Sequence, residues 1–213
     1  MKDILNILDE INRLIQPLRP PVLAFESSIR RTPFRILISV LLSARTKDPV
    51  TKIASENLFS AAQTAVEVTA LTEERIAELI FPVGFYKQKA AHIKKIAEVV
   101  SLSGEIPGNF EGLTALPGVG RKTANLVLAL AFNVPAVAVD THVYRISKRL
   151  GWASGSTPGE VEEELKALFP KTHWNKINRT LVGFGQTICS PRNPLCSRCS
   201  ISGNCPFFKT SGG

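Results

Sequence analysis

The chain has 213 residues, 44% of them apolar, enough for one large or two small domains around a real core and too much for a disordered protein. Lys and Arg number 26 against 18 Asp and Glu, and the formal charge of +8 suits a polyanionic partner, either nucleic acid or an anionic membrane surface. No apolar run approaches the ~20 residues of a membrane span, and the acidic residues within MKDILNILDEINRLI exclude a secretory signal, so the chain reads as soluble and intracellular with four reduced cysteines.

That N-terminal stretch has the apolar spacing of an amphipathic helix. Further on, Thr32-Pro33 and Asp48-Pro49 each set a capping side chain ahead of a proline suited to the first helical position. Thr157-Pro158 repeats the device, and Glu160 completes a capping box. Apolar residues recur at helical spacing in Phe34, Leu37, Ile38, Leu41 and Leu42, in Ile76, Leu79 and Ile80, in Ile93, Ile96, Ala97 and Val100, and in Val161, Leu165 and Leu168. The nearest approach to a strand runs from Val134 to Val139, and Pro135 interrupts it. The fold class is all-α, of roughly ten short helices. No low-complexity linker and no internal repeat marks a domain boundary.

Two constellations carry chemistry. In the first, Phe110 to Leu116 reads as a short helix, Pro117-Gly118-Val119-Gly120 as a tight turn and Arg121 to Phe132 as a second helix. Glycines at both turn positions permit left-handed backbone angles and close approach of a ligand, while the N–H groups opening the second helix lack internal partners. Such a hairpin can hold one DNA phosphate, a contact that positions the protein without reading sequence. The plainer alternative is a simple inter-helix turn.

Lys122 stands where the helix dipole and Arg121 both disfavour a protonated ammonium, and this favours the free amine that a nucleophile needs. Its plainer reading is a phosphate contact. Asp140 precedes the helical pattern of Val143, Ile146 and Leu150 and is a natural N-cap; an N-cap facing a cleft can also stabilise a cation or handle a proton.

The second constellation is Cys189, Cys196, Cys199 and Cys205, spaced C-x6-C-x2-C-x5-C, with Pro191, Pro194 and Gly203 supplying bends. Four thiolates on a short loop suit a tetrahedral zinc or an iron-sulfur cluster. Zinc sites usually pair two short knuckles, so a single C-x2-C favours a cluster and leaves zinc open.

Taken together, LPGVGRKTAN, AVDTHVYRISKRLGW, LVGFGQTIC and the cysteine spacing resemble the endonuclease III family, DNA glycosylases and abasic-site lyases of the helix-hairpin-helix superfamily. The resemblance runs from about Leu37 to Pro206. It implies a two-domain helix-hairpin-helix DNA glycosylase fold: a central bundle over 24–136 carrying the hairpin, and a second domain of 1–23 plus 137–213 in which the four cysteines hold a [4Fe-4S] cluster. It also implies action on double-stranded DNA that contains a damaged base or an abasic site. A monomer is the expectation for a small enzyme that tracks along DNA, and the absence of an obvious targeting extension suits a prokaryotic cytoplasm, in association with the nucleoid.

By the same resemblance, Leu116, Pro117, Gly118, Val119, Gly120 and Arg121 bind DNA and the damaged base, an oxidised pyrimidine of the thymine glycol type, is turned out of the stack. Lys122 attacks C1′, Asp140 assists, and the resulting Schiff base undergoes β-elimination that nicks the strand. One departure stands out. Where many members read LLSAQ, with the glutamine filling the gap left by the flipped base, this chain reads Leu41-Leu42-Ser43-Ala44-Arg45. Arginine in that gap favours a different opposing partner, such as guanine. Asp48 reads as an N-cap, His142 as a residue of the site or of the helix start, and His92 as a solvated surface residue. Adenine and mismatch glycosylases share the hairpin but lack the lysine; a non-catalytic DNA-binding module is the rival from another class.

Overall fold

The computed structural model describes residues 2–28 and 32–210; Met1 and residues 211–213, the outer ends of the predicted second domain, lie outside them. Among the described residues there is no strand. The helices are α1 (Lys2–Ile15), α2 (Pro21–Ser28), α3 (Pro33–Ser43), α4 (Asp48–Ala61), α5 (Ala65–Thr69), α6 (Glu73–Ile80), α7 (Tyr86–Ser103), α8 (Phe110–Thr114), α9 (Arg121–Ala131), α10 (Thr141–Arg149), α11 (Pro158–Leu168), α12 (Trp174–Thr187) and α13 (Pro206–Thr210). There are more of them than periodicity predicts, because α5 and α13 are five residues each and too short to display a repeat.

Side-chain caps start six of these helices. The Thr32, Thr64, Thr72 and Asn109 side chains accept from the backbone N–H three residues on, and Thr157 with Glu160 forms the full capping box. Asp48 departs from expectation: the cap of α4 is Lys47, which makes no side-chain cap bond, and Asp48 lies inside the first turn. A carboxylate there still meets the positive end of the helix dipole favourably.

Two compact units divide the chain, Phe25–Val134 and Met1–Ala24 with Pro135–Gly213. In the first, α3 is buried from Ile36 to Leu42 and packs against α4, α7 and α9, while α7 also packs on α5 and α6. Leu37, Ile38, Leu58, Ile76, Ile80, Ile93 and Ile96 are fully buried, each worth about 1.5–3 kcal/mol of transfer free energy.

In the second unit α1 and α10 pack on α12 around Leu8, Ile11, Ile15, Val143, Ile146, Leu165, Ile177 and Leu181. Trp152 meets Phe169 edge to face at 5.1 Å. Close approach to α12 depends on two missing side chains: a Cβ on Gly183 would meet Ile15 and Pro20, and one on Gly185 would meet His142 and Arg145.

The residues between Pro135 and Val139 form no regular secondary structure. Side chains of α12 satisfy them instead: Asn175 Oδ1 accepts from Ala136 N–H at 2.9 Å, and Asn178 Nδ2 donates to the Ala138 carbonyl at 2.9 Å. Val137 and Val139 anchor the segment in the core, so the next residue, Asp140, starts α10 from a fixed point.

Candidate functional site

The hairpin joins α8 to α9. Gly118 adopts φ +75, the left-handed angle its position requires, and His92 of α7 packs where its Cβ would stand. His92 is therefore half-buried against the hairpin and not a solvated surface residue. Gly120 behaves differently from the expectation of left-handed angles at both glycines. It is extended, with φ −93 and ψ 176, and nothing lies within 4 Å of where its Cβ would be. Internal packing does not explain this glycine; open space at the start of α9 does.

Leu116 and Val119 are each 6% exposed, so their side chains serve the core and only their main chain is available to a ligand. The Val119 N–H is already used, donating to the Leu116 carbonyl at 3.1 Å. Pro117 is half-buried and Gly118 exposed. As the cap of α9, Gly120 supplies no side-chain acceptor, so the first turn lacks the side-chain cap that α8, α10 and α11 receive. Arg121 is exposed with its guanidinium 5.3 Å from the Phe110 ring centroid, and Lys122 is half-buried as the second residue of the helix.

Asp140, in the other unit, is the N-cap of α10 as its sequence context predicts. Its Oδ1 accepts from His142 N–H at 2.9 Å and Val143 N–H at 2.8 Å. The two donors fix the carboxylate's orientation and leave Oδ2 outside these bonds. His142 Nδ1 lies 3.3 Å from Arg145 Nη2, which donates to the Cys189 carbonyl at 2.8 Å.

Arg45 is exposed at the end of α3, at φ +54, and its guanidinium lies 5.5 Å from the ring centroid of Phe85, itself at φ +59. Beneath them is a residue the sequence reading missed. Lys89 is 7% exposed, and its Nζ donates to the Leu42 carbonyl at 2.8 Å, the Ala44 carbonyl at 2.6 Å and Thr46 Oγ1 at 3.4 Å. Burial, and then the positive charge of Lys122, lower its pKa to about 8. In the run Lys87 to Lys95 nothing but its place on the inward face of α7, beside Ala90 and Ile93, distinguishes it from surface lysines.

Cys189, Cys196, Cys199 and Cys205 are all free and border one pocket, walled by Leu150, Phe184, Ile188, Ile201 and Phe207. Among the described residues no three of His, Cys, Asp and Glu converge as a single metal ion requires. Burial pushes the Cys199 thiol to about 11, and neighbouring cysteines push the same way. Burial also raises Cys189, opposed by Arg149, whose Nη1 donates to its Sγ at 3.2 Å. The same guanidinium donates to the Ser190 and Pro191 carbonyls, tying α10 to the cysteine loop. Four thiolates could share this cavity only with cations among them, a requirement that a metal or metal cluster meets. No helix among the described residues is long and apolar enough to cross a membrane.

A model of the HhH-GPD superfamily of base excision DNA repair proteins matches residues 38–171. The chain is 47% identical over 182 residues to endonuclease III of Thermotoga maritima, covering 84% of this chain and 85% of that one. It is 46% identical over 184 residues to the chloroplastic endonuclease III homolog 2 of Arabidopsis thaliana, 81% of this chain and 48% of that longer one. A trapped covalent intermediate of an endonuclease III with DNA, an estranged-adenine complex, superposes with a TM-score of 0.87 at 34% identity over 99% of this chain and 97% of that one. A thermostable thymine-DNA glycosylase gives 0.74 at 26% identity over 93% and 98%. By these matches, and by the hairpin that opens α9, the chain belongs to the endonuclease III family of the HhH-GPD superfamily of base excision DNA repair proteins.

Proposed function

We propose that the chain is a bifunctional DNA glycosylase and abasic-site lyase that removes oxidised pyrimidines of the thymine glycol type from duplex DNA. One observation carries the reading: α9 opens behind an extended, unobstructed Gly120 with no side-chain cap, and its second residue is a lysine. Family membership at 47% identity to an endonuclease III supports it.

In this reading the hairpin main chain and the start of α9 hold a phosphate, and the damaged base is turned out of the stack. The Nζ lone pair of Lys122 forms a bond to C1′ as the bond from C1′ to the base breaks, and the base leaves with the electron pair and takes up a proton. Loss of the proton on Nζ and opening of the sugar ring give a Schiff base. Its iminium then accepts electrons as the C2′ proton is lost and the C3′–O bond breaks, and water finally releases Lys122. Asp140 stabilises the cationic intermediate and relays a proton, its Oδ1 held by the two N–H groups at the start of α10. Arg45 fills the gap left by the base and bonds the orphaned partner on the opposite strand.

The four cysteines suit a [4Fe-4S] cluster, which when bound supplies cations to balance the thiolates and can serve a structural or redox-linked sensing role. The chain acts as a monomer, in the cytoplasm and on nucleoid DNA. Borohydride trapping on a duplex with one thymine glycol tests the reading. A covalent protein-DNA adduct that disappears in Lys122→Ala supports it; no adduct and no nick from the intact protein, on this lesion or on an abasic site, sinks it in favour of a binding module.

A further inference from the structure

We propose that Lys89 is a positioning residue that fixes the orientation of Arg45 and so sets which base opposite the lesion is accepted. This rests on the reading of Arg45 as the side chain that fills the gap in the opposite strand. Three ammonium donors meet three acceptors, the Leu42 and Ala44 carbonyls and Thr46 Oγ1, so the group is fully used and has one orientation. The acceptors straddle position 45. Leu42 lies in the last turn of α3, Ala44 is its C-cap and Thr46 follows Arg45, so one buried cation holds both sides of the turn from which Arg45 projects.

A second segment, just before α7, also holds the turn. Thr46 Oγ1 accepts from Gly84 N–H at 3.1 Å, and a Cβ on Gly84 would lie 2.7 Å from the Arg45 carbonyl oxygen. Next to it, Phe85 at φ +59 presents its ring to the Arg45 guanidinium at 5.5 Å. Two facing non-glycine residues at left-handed angles persist only where their surroundings over-determine them. Here Lys89 and Gly84 do so together, meeting at Thr46 Oγ1.

A helix C-terminus needs only one cation near its carbonyls, and a surface lysine of α7 would serve. A buried lysine gripping the residues before and after Arg45 does more than cap. It converts a flexible arginine into an oriented one, and orientation is what a hydrogen-bond pattern on a base edge can discriminate.

The test measures Kd for duplexes with a tetrahydrofuran abasic analogue opposite each of the four bases, using the wild type, R45A, K89M, K89R, G84A and the R45A/K89M double variant. The readout is the ratio between the tightest and weakest opposing base, which is insensitive to the fraction of folded protein. The expected result is a ratio that collapses in K89M and G84A to within about twofold of R45A, recovers partly in K89R, and falls no further in the double variant. Should K89M fail to fold, G84A carries the test, because it disturbs the turn without touching the lysine. A wild-type ratio near one, or a ratio that survives R45A, overturns the reading of Arg45 and this proposal with it. A ratio lost in R45A and kept in K89M and G84A overturns this proposal alone.

Discussion

The starts of α9 and α10 face the same physical problem and solve it in opposite ways. At α10 the carboxylate of Asp140 accepts two backbone N–H groups, so the terminus is satisfied from within. At α9 the cap is Gly120, which offers no side chain and has open space around it, and the following residues are Arg121 and Lys122. The first arrangement fixes an acid in place. The second leaves a helix start with no side-chain cap and with open space beside it, and the difference teaches that an unmet capping need is as informative as a met one.

Lys122→Ala strikes hardest at this contrast. We expect strand nicking and borohydride trapping to fall by at least about a thousandfold, as removal of a nucleophile does, while affinity for an abasic-analogue duplex falls far less. Equal losses in both would reduce Lys122 to a phosphate contact.

Next comes Asp140, where cap and chemistry can be separated. Asparagine caps nearly as well, so Asp140→Asn should change stability by no more than about 0.5 kcal/mol, whereas Asp140→Ala loses about 1 kcal/mol. Both should lower glycosylase kcat by about a hundredfold. If Asp140→Asn keeps full turnover, the residue is a cap and nothing more.

The two glycines divide the hairpin in the same way. Gly118→Ala forces a side chain into a left-handed angle and against His92, and thermal melts should show a loss of at least about 1–2 kcal/mol. Gly120→Ala meets no atom of the chain, so its cost should stay near 0.5 kcal/mol while affinity for abasic-analogue duplex drops about tenfold. The reverse ranking of the two affinities would place the phosphate elsewhere.

The smallest effect concerns the other cation near α9. Lys89 has its pKa lowered from the ordinary 10.5 to about 8, so between these values the unfolded chain binds a proton that the folded chain lacks. Its contribution to stability therefore rises with pH from about 8 to 10.5. Urea melts at pH 7.5 and 10 should show that rise in the wild type and a weaker one in Lys89→Met.

The sequence made legible whatever depends on neighbours along the chain. The capping box at Thr157, the cap at Asp140 and the all-α class follow from spacing alone. LPGVG reads as a turn for the same reason, yet spacing could not separate Gly118 from Gly120, since what distinguishes them is His92 packed against one and empty space beside the other. Nor could it show that Leu116 and Val119 turn inward. Lys89 was hidden by company: among Lys87, Lys94 and Lys95 it looks like one more surface charge, and only the carbonyls of α3, more than forty residues earlier in the chain, give it a different role. Arg145 and Arg149 escaped notice similarly, because their acceptors lie on the cysteine loop.

Gly185 shows what such distant dependence means for a single position. A methyl group there would first meet His142, whose N–H holds the carboxylate of Asp140, and then Arg145, which donates to the carbonyl of Cys189. The position works as a gauge: the hydrogen atom of a glycine sets the clearance at which α10 seats on α12, so a change on a helix that carries neither acid nor thiol would be felt at both.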